Sequence, residues 1–507
     1  MVRTWHLALG MSLAAFACRE GSEVTAPSQT LSGGVSKTDS NYPRWWNKYQ
    51  FLLKNGPANG SPSAGSSSVG QNVDVSNECG PQSETFVALN HHNPSMLTGG
   101  SNEIYRLPME AYFSSDQGSS WGRTDVPLPL APSGPSQSRF GSDPTLGFDT
   151  RGNVFYGFIV VFFNPQFSAI NGTEMAVARS TDGGRTWTGP TEFSFESGEN
   201  HFNDKPMLTV DQNARSPHRD NVYVAWDAAS GGSTGGGIRV AHSTDGGASF
   251  TTNRADDPHG PGRSIGAVPF VGPEGNLYVA WNDYAANAIV FNSSTDGGVT
   301  WGAPGTIAFK SIAFDIGIPA ESFRGALVYP ACDADGSRGA HRGRLYCSWM
   351  DLNAGGNTQI VLSYSDNAGA TWSQPSPVGQ QAAGTDRFNH WLSVDPVTGD
   401  VTTSYYNATG HVTDVLLSRS TDGAVSWLPD VKVTTQSSNE YDCGGLFPCP
   451  SINYGNQQGD YEGLVSFGGV SHPIWTDSRK NTERAGDPAC GRGNGLMEEV
   501  FTAAVTN

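Results

Sequence analysis

Acidic, basic and tyrosine side chains gather in a few short segments that interrupt an otherwise regular repeat. The segments are HFNDK at 201–205, RFNH at 387–390 and GDYEG at 459–463. Two carboxylates can divide the acid and base roles of a hydrolysis, so Asp204 and Asp460, with Tyr461 beside Asp460, are the predicted catalytic residues. Cationic and polar side chains can hold an anionic ligand. The predicted ligand-binding residues are Lys205, Arg324, His390, Arg479, Asp143 and Glu84.

A second group of aspartates recurs within the repeat, which favours structural roles for them. Four follow apolar runs and are predicted to cap strand ends; they are Asp227, Asp283, Asp351 and Asp477. Four others end the preceding runs and are predicted Asx turns; they are Asp149, Asp211, Asp333 and Asp395. The prediction of a site therefore depends on the irregular residues.

One octapeptide, Ser-x-Asp-x-Gly-x-Thr/Ser-aromatic, recurs along the chain. The six copies are SSDQGSSW (114–121), STDGGRTW (180–187), STDGGASF (243–250), STDGGVTW (294–301), SDNAGATW (365–372) and STDGAVSW (420–427). Its Ser and Asp can bind backbone N–H groups in a tight turn, and Gly supplies a positive φ. The last two copies depart from the pattern at Asn367 and Ala424. Such a repeat indicates a fold built from equivalent units.

Apolar runs upstream of each octapeptide predict the strands that position the candidate residues. Runs such as NVYVAWD (221–227) and NLYVAWND (276–283) are typical of strands buried on both faces. Seven such units begin near residues 83, 142, 203, 264, 324, 387 and 459. The seventh is one strand short, and an unassigned strand at 71–75 can complete it. The predicted fold is an all-β propeller of four-stranded blades, seven by strand count and six by octapeptide count, closed by the N-terminal strand.

The N-terminal residues predict export. A basic start and an apolar stretch from Trp5 to Phe16 resemble a signal peptide over residues 1–17, and Cys18 is a possible lipidation site of a bacterial lipoprotein. Residues 18–69 are rich in Ser, Gly and Pro and predict a flexible tether before the propeller at 70–507. We expect a location at the bacterial cell surface or in the periplasm, lipid-anchored or secreted.

The cysteine count predicts disulfides, and the net charge limits the classes of binding partner. Six cysteines remain after Cys18, an even number that favours disulfides in an exported protein. The predicted pairs are Cys79–Cys490, Cys332–Cys347 and Cys443–Cys449. The net charge of −18 excludes nucleic acid as a favoured partner, and no metal or cofactor site is predicted.

The octapeptides resemble the Asp-boxes, or BNR repeats, of the sialidase superfamily. The resemblance covers residues 70–507, and GDYEG and WTDSR (475–479) are similar to segments of bacterial proteins labelled sialidase family. It implies a propeller fold and, for an enzyme, an exo-sialidase-like glycoside hydrolase. Sialidases use an arginine triad, a Tyr–Glu pair and an Asp acid/base. The segment Tyr105-Arg106-Leu107-Pro108 is similar to the sialidase motif that contains the first arginine of the triad. It lies too close to the first octapeptide, however, so the triad and the Tyr–Glu pair do not map cleanly.

Two functions are consistent with these features. The first is a glycan-binding or glycoside-hydrolase-like propeller that acts on an extracytoplasmic carbohydrate. The second is a non-catalytic scaffold at the cell surface. We expect a monomer that binds a carbohydrate or another small polar ligand. Contact with a membrane is expected only through the possible lipid anchor.

Overall fold

A computed structural model describes residues 72–78, 81–104, 106–130, 138–164, 166, 168–198, 203–228, 236–257, 263–322, 325–439, 458–479 and 498–506. Cys18, Cys79, Arg324, Cys443, Cys449 and Cys490 lie outside these residues, as do the predicted signal peptide and the whole of the tether. The described residues form β-strands and no α-helix. None of them therefore forms a helix long and apolar enough to cross a membrane.

The strands form seven blades, each an antiparallel meander that begins with its innermost strand. Blades 1 to 3 contain β2 (Gln82–Leu89), β3 (Leu97–Glu103), β4 (Met109–Ser114), β5 (Gly122–Val126), β6 (Ser138–Phe148), β7 (Val154–Phe163), β8 (Ile170–Ser180), β9 (Thr191–Ser197), β10 (Asn203–Val210), β11 (Val222–Ala228), β12 (Ile238–Ser243) and β13 (Thr251–Arg254). Blades 4 and 5 contain β14 (Ser264–Val271), β15 (Leu277–Asp283), β16 (Ala288–Ser294), β17 (Gly305–Phe309), β20 (Ala331–Ala334), β21 (Leu345–Leu352), β22 (Thr358–Ser365) and β23 (Ser376–Pro377).

The last two blades each carry one additional strand. Blade 6 contains β24 (Asp386–Val394), β25 (Val401–Thr409), β26 (Val412–Ser420), β27 (Val431–Lys432) and the additional β28 (Ser438–Asn439). Blade 7 contains β29 (Gly463–Phe467), β30 (Val470–Asp477), β31 (Glu499–Thr502), β1 (Val73–Asp74) and the additional β32 (Val505–Thr506). Each innermost strand packs against the innermost strand of the next blade, and β29 packs against β2, so the ring is complete.

The N-terminal strand closes the last blade, as the sequence predicts. β1 pairs with β31 through Val73 opposite Thr502 and Asp74 opposite Phe501. The N–H of Val75 also donates to the carbonyl of Val500 at 2.7 Å. The two ends of the described chain are thereby joined in one sheet, which leaves β31 no open edge.

The fifth blade departs from the predicted strand positions. The unit predicted near residue 324 begins at Ala331, and its innermost strand is only four residues long. The preceding segments β18 (Asp315–Ile316) and β19 (Ala326–Leu327) form a separate hairpin.

The octapeptides form the turn between the third and fourth strands of blades 1 to 6. In the second copy, Ser180 Oγ donates to Asp182 Oδ1 at 2.7 Å and accepts the N–H of Gly184 at 2.9 Å. Asp182 also accepts the N–H of Thr186 at 2.9 Å. Ala424 keeps the same bond to Ser420 Oγ at 2.9 Å, although its φ of 64° lies in the left-handed region.

Buried strands and one disulfide supply the core. Every residue of β7, β11 and β15 is buried, as predicted for strands covered on both faces. Cys332 and Cys347 form a disulfide and lie directly opposite each other on β20 and β21. This pair is the predicted one.

Candidate functional site

A β-bulge opens the innermost strand of five blades and turns one side chain out of the sheet. Strand pairing skips two residues in each case, and the first of the two has a positive φ. These positions are Glu84, Asp143, Lys205, Gly266 and Asn389. Tyr329 and Tyr461 occupy the same position, two residues before the first regular pair, in the other two blades. Bulges of this kind re-aim side chains, and here they build a ring of seven residues, termed the bulge ring.

Contacts between non-adjacent blades place the bulge ring on the propeller axis. Lys205 Nζ, from blade 3, lies 3.1 Å from the ring centre of Tyr461 in blade 7 and 5.0 Å from that of Tyr329 in blade 5. The Tyr329 hydroxyl donates to Asp460 Oδ2 at 3.2 Å, and the Tyr461 hydroxyl donates to the carbonyl of Pro144 at 3.2 Å. Only side chains at the centre of a seven-bladed ring can reach across it in this way.

The acidic members of the bulge ring are linked by Asn102. Its amide nitrogen donates to Glu84 Oε2, and its oxygen accepts the N–H of Asp143 at 2.7 Å. Asp143 Oδ2 in turn accepts the N–H of Lys205 at 3.3 Å. Glu84, Asp143 and Lys205 are each at most 2% exposed. The predicted ligand-binding residues Glu84, Asp143 and Lys205 therefore meet in one network, in which their polar groups bind one another.

Gly266 and Gly459 are glycines for steric reasons at this centre. A Cβ on Gly266 would lie 2.2 Å from Tyr329 Cδ1, and one on Gly459 would lie 2.7 Å from the backbone nitrogen of Glu84. Both glycines also have a positive φ. The close approach of neighbouring blades at the axis thus depends on these two positions.

A pair of carboxylates stands beside the bulge ring on blade 3. Asp204 and Asp227 lie directly opposite each other on β10 and β11, where facing Cβ atoms are about 4.5–5.5 Å apart. Asp204 Oδ1 accepts the N–H of Lys205 at 3.0 Å. Burial and then the charge of Asp204 raise the pKa of Asp227 well above its usual range. Asp227 therefore keeps its proton to a higher pH than an ordinary aspartate does.

The predicted capping role is wrong for Asp227. It follows Trp226 directly, whereas Asp283, Asp351 and Asp477 stand two residues after their tryptophans. Because side chains alternate along a strand, this shift by one residue turns Asp227 to the opposite face. The other three do accept backbone N–H groups, at 2.7 Å from Ala286, 2.8 Å from Leu352 and 2.9 Å from Arg479.

His390 and Arg479, two of the predicted ligand-binding residues, are not members of the bulge ring. His390 is the second residue of the blade 6 bulge, and burial lowers its pKa to about 4. Arg479 binds Asp477 Oδ2 at 2.6 Å and Asn72 Oδ1 at 3.0 Å, which ties the closing segment to blade 7. His390 is thus buried, and Arg479 is held by contacts within the closing region.

Of the remaining residues singled out in the sequence, two lie at the axis and one lies away from it. Asp460 and Tyr461 lie at it, and Tyr461 is 2% exposed. Arg106 lies away from it, because its partners Glu110 and Asp125 belong to the third and fourth strands of blade 1. Tyr105 lies outside the described residues.

Sequence reasoning missed Asn102 and Tyr329, which complete the network. Tyr329 precedes Pro330, as Asp143 precedes Pro144 and Lys205 precedes Pro206. This shared X-Pro pattern marks the bulge in three units and would have identified Tyr329. Asn102 lies in a strand of small residues and carries no comparable signal.

Solved structures of a sialidase, a trans-sialidase and an arabinanase align with this chain at low sequence identity. A Hadza microbial sialidase shares 13% sequence identity over 86% of this chain and 68% of its own, with a TM-score of 0.44. A leech intramolecular trans-sialidase shares 14% identity over 69% of this chain and 67% of its own, with a TM-score of 0.45. An α-L-arabinanase from Penicillium chrysogenum shares 14% identity over 72% of this chain and 92% of its own, with a TM-score of 0.41.

At these identities the likeness concerns the fold alone. No protein-family model and no curated protein matches the chain. The propeller fold follows from the seven blades of the chain itself, and any assignment of activity depends on its own residues.

Proposed function

We propose that this protein is an exported propeller that hydrolyses or binds an extracytoplasmic carbohydrate at blade 3, next to the axis. The Asp204–Asp227 pair carries the proposal. A protonated and an ionised carboxyl group side by side are the two groups that glycoside hydrolysis requires. The signal-peptide-like N-terminus and the Asp-box-like octapeptides support an extracytoplasmic, sialidase-like protein.

In this proposal Asp227 donates a proton to the leaving oxygen of the glycosidic bond. Asp204, on the same face of the sheet, acts as the nucleophile or base. Facing positions on adjacent strands keep the carboxyl groups close, which favours a retaining over an inverting outcome. Asp460 and Lys205, at the adjacent axis, are positioned to orient polar groups of the sugar.

Hydrolysis of a panel of aryl glycosides and polysaccharides, sialosides and arabinan included, tests this role. Asp204→Asn and Asp227→Asn are each expected to lower kcat/KM by about 10²–10⁴-fold, the usual contribution of an acid or base. Asp283→Asn is the matched control, since Asp283 caps the neighbouring blade and should leave turnover unchanged. Asp227→Asn is also expected to remove the alkaline limb of the pH profile, because that limb reports loss of its proton.

Two results would contradict the assignment. Turnover that survives both substitutions in blade 3 would place the chemistry elsewhere. Sialoside turnover that is lost in Arg106→Ala and kept in Asp204→Asn would place it at blade 1.

A non-catalytic scaffold at the cell surface is the second candidate, and the self-paired bulge ring favours it. Lys205 is covered by Tyr461, Asp460 is bound by Tyr329, and Glu84 is bound by Asn102. No turnover on any glycan by the folded protein, together with binding of a surface polymer, would support the scaffold over the enzyme.

A further inference from the structure

Three glutamates from separate parts of the chain meet where the ring closes. Glu103 ends β3 and Glu110 lies in β4, whereas Glu78 follows the closing strand β1. All three side chains are at most 3% exposed, and one carboxylate oxygen of each lies within 4.8 Å of the others. The three carboxylates thus converge on one point at the seam between the last blade and the first.

Two further oxygen atoms at this cluster are buried and accept no hydrogen bond from the described residues. The Gln82 amide reaches into the cluster, with Nε2 2.7 Å from Glu78 Oε1 and 3.4 Å from Glu103 Oε2, yet Gln82 Oε1 has no partner. Glu110 Oε2 is also buried, and no donor among the described residues reaches it. A buried acceptor without a donor is unusual in a folded protein, and a bound cation satisfies such oxygens.

Arginines balance only part of the negative charge. Arg106 Nη1 lies 3.1 Å from Glu110 Oε1, and Arg123 Nη1 lies 3.0 Å from Glu78 Oε2. Arg106 also contacts Asp125, which is half exposed. When the carboxyl groups of Glu78, Glu103, Glu110 and Asp125 are all ionised, they carry four negative charges. The two guanidinium groups then leave two of these charges unmatched.

The geometry points to a divalent cation, calcium before others, bound by Glu78, Glu103 and Glu110. All the donors are oxygen atoms, which suits calcium and not the metals that prefer histidine and cysteine. Calcium also tolerates irregular coordination, and half a turn of the Gln82 amide brings its oxygen toward the ion. The charge of the ion equals the unmatched negative charge of the cluster.

The bound ion fastens the closing segment onto the first blade. That segment is already held by Arg123, whose Nη1 donates to the carbonyl of Ser76 at 2.8 Å. The ligands Glu103 and Glu110 belong to the first blade, whereas Glu78 belongs to the closing segment. An ion that binds only this folded arrangement stabilises the closed ring.

Terbium luminescence and thermal unfolding test the site in the full chain. After treatment with EDTA and dialysis into chelator-free buffer, Tb³⁺ is expected to bind saturably, with emission sensitised by Tyr112, whose hydroxyl lies 3.3 Å from Glu103 Oε1. Calcium should displace the terbium. Calcium should also raise the unfolding temperature at pH 8, and magnesium should do so less.

Glu103→Gln is expected to abolish both effects. Glu174→Gln is the matched control, because Glu174 is a buried glutamate of blade 2 that lies outside the cluster. Gln82→Glu supplies a second variant, expected to lower stability in EDTA and to bind calcium more tightly. Unchanged unfolding temperatures with and without calcium in the wild-type chain would overturn the inference, as would an equal calcium effect in Glu103→Gln.

Discussion

The ammonium group of Lys205, in blade 3, lies 3.1 Å from the centre of the Tyr461 ring in blade 7. This contact crosses the propeller axis and joins two blades that are not neighbours in the ring. Lys205 is 2% exposed and stands between the acidic side of the bulge ring and its two tyrosines. A buried lysine is stable here because the aromatic faces and nearby carboxylates replace its water.

Lys205→Met is expected to lower the free energy of unfolding by about 2 kcal/mol, the value of a desolvated cation–π contact. The methionine fills similar space but leaves the rings of Tyr461 and Tyr329 without the cation that they face. Urea denaturation measures the change. Lys432→Met serves as the control, since Lys432 is half exposed and pairs with Asp414 at the surface, where such pairs contribute little. Equal effects of the two substitutions would contradict the role of Lys205 at the axis.

Asp227→Asn is expected to stabilise the fold at pH 7. Burial and the Asp204 charge raise the pKa of Asp227, so the folded state keeps a proton that the unfolded chain loses near pH 3.9. Stability therefore declines as the pH rises above about 4, and asparagine removes that decline. The gain should vanish at pH 3. Thermal unfolding across this pH range measures it.

Asp245→Asn is expected to change the stability at pH 7 in the opposite direction, measured by the same thermal unfolding experiment. Hydrogen bonds led by that of Ser249 lower the pKa of Asp245 to about 2, so its contribution is present above about pH 4 and lost as the pH falls toward 2. This variant should be less stable than wild type at pH 7 and equal to it at the acidic end. The same sign for both variants would contradict the assigned electrostatics.

Ala368→Gly is expected to stabilise the fifth octapeptide turn by about 1 kcal/mol, the cost of a left-handed φ for a residue with a Cβ. Ala368 has a φ of 55° and an exposed side chain. Ala424→Gly relieves a similar φ but removes a buried methyl group worth about 0.8 kcal/mol, so its net gain should be close to zero. A larger gain at Ala424 than at Ala368 would contradict this reasoning.

Replacing both Cys332 and Cys347 by alanine is expected to cost about 3 kcal/mol, since the bond closes a 15-residue loop in the unfolded chain. Denaturation in guanidinium chloride measures the loss. Reductant should lower the stability of the wild-type protein more than that of the double variant. Equal sensitivity to reductant would show that the disulfide contributes nothing at this hairpin.

Local patterns explain why the fold was predictable from the chain. Apolar runs such as 221–227 and the octapeptide turns are encoded within about ten residues, so their repetition indicates blades directly. The count of seven came from strands and not from octapeptides, because blade 7 lacks the turn that the other six carry. The unassigned strand at 71–75 was predicted to complete the seventh blade, which lacked one strand. Val73 does pair with Thr502 in that blade.

The site was predictable only in part, since bulges re-aim side chains in ways that composition does not show. Asp204 and Lys205 were predicted, but their partners Asp227 and Tyr329 were not. Asp227 was misread because a shift of one residue along a strand changes its face. His390 stays a prediction, since it is the second residue of its bulge and is buried.

The sequence by itself determined the propeller, its number of blades and the Cys332–Cys347 pair, because each follows from local turn chemistry, strand periodicity or neighbouring strands of one hairpin. Only the tertiary structure decided which side chains meet. Closing the ring brings Lys205 to Tyr461 and Glu78 to Glu103, and neither approach is encoded by residues near each other in the chain. The physical reason is that both contacts arise from the shared axis and the shared seam of seven blades.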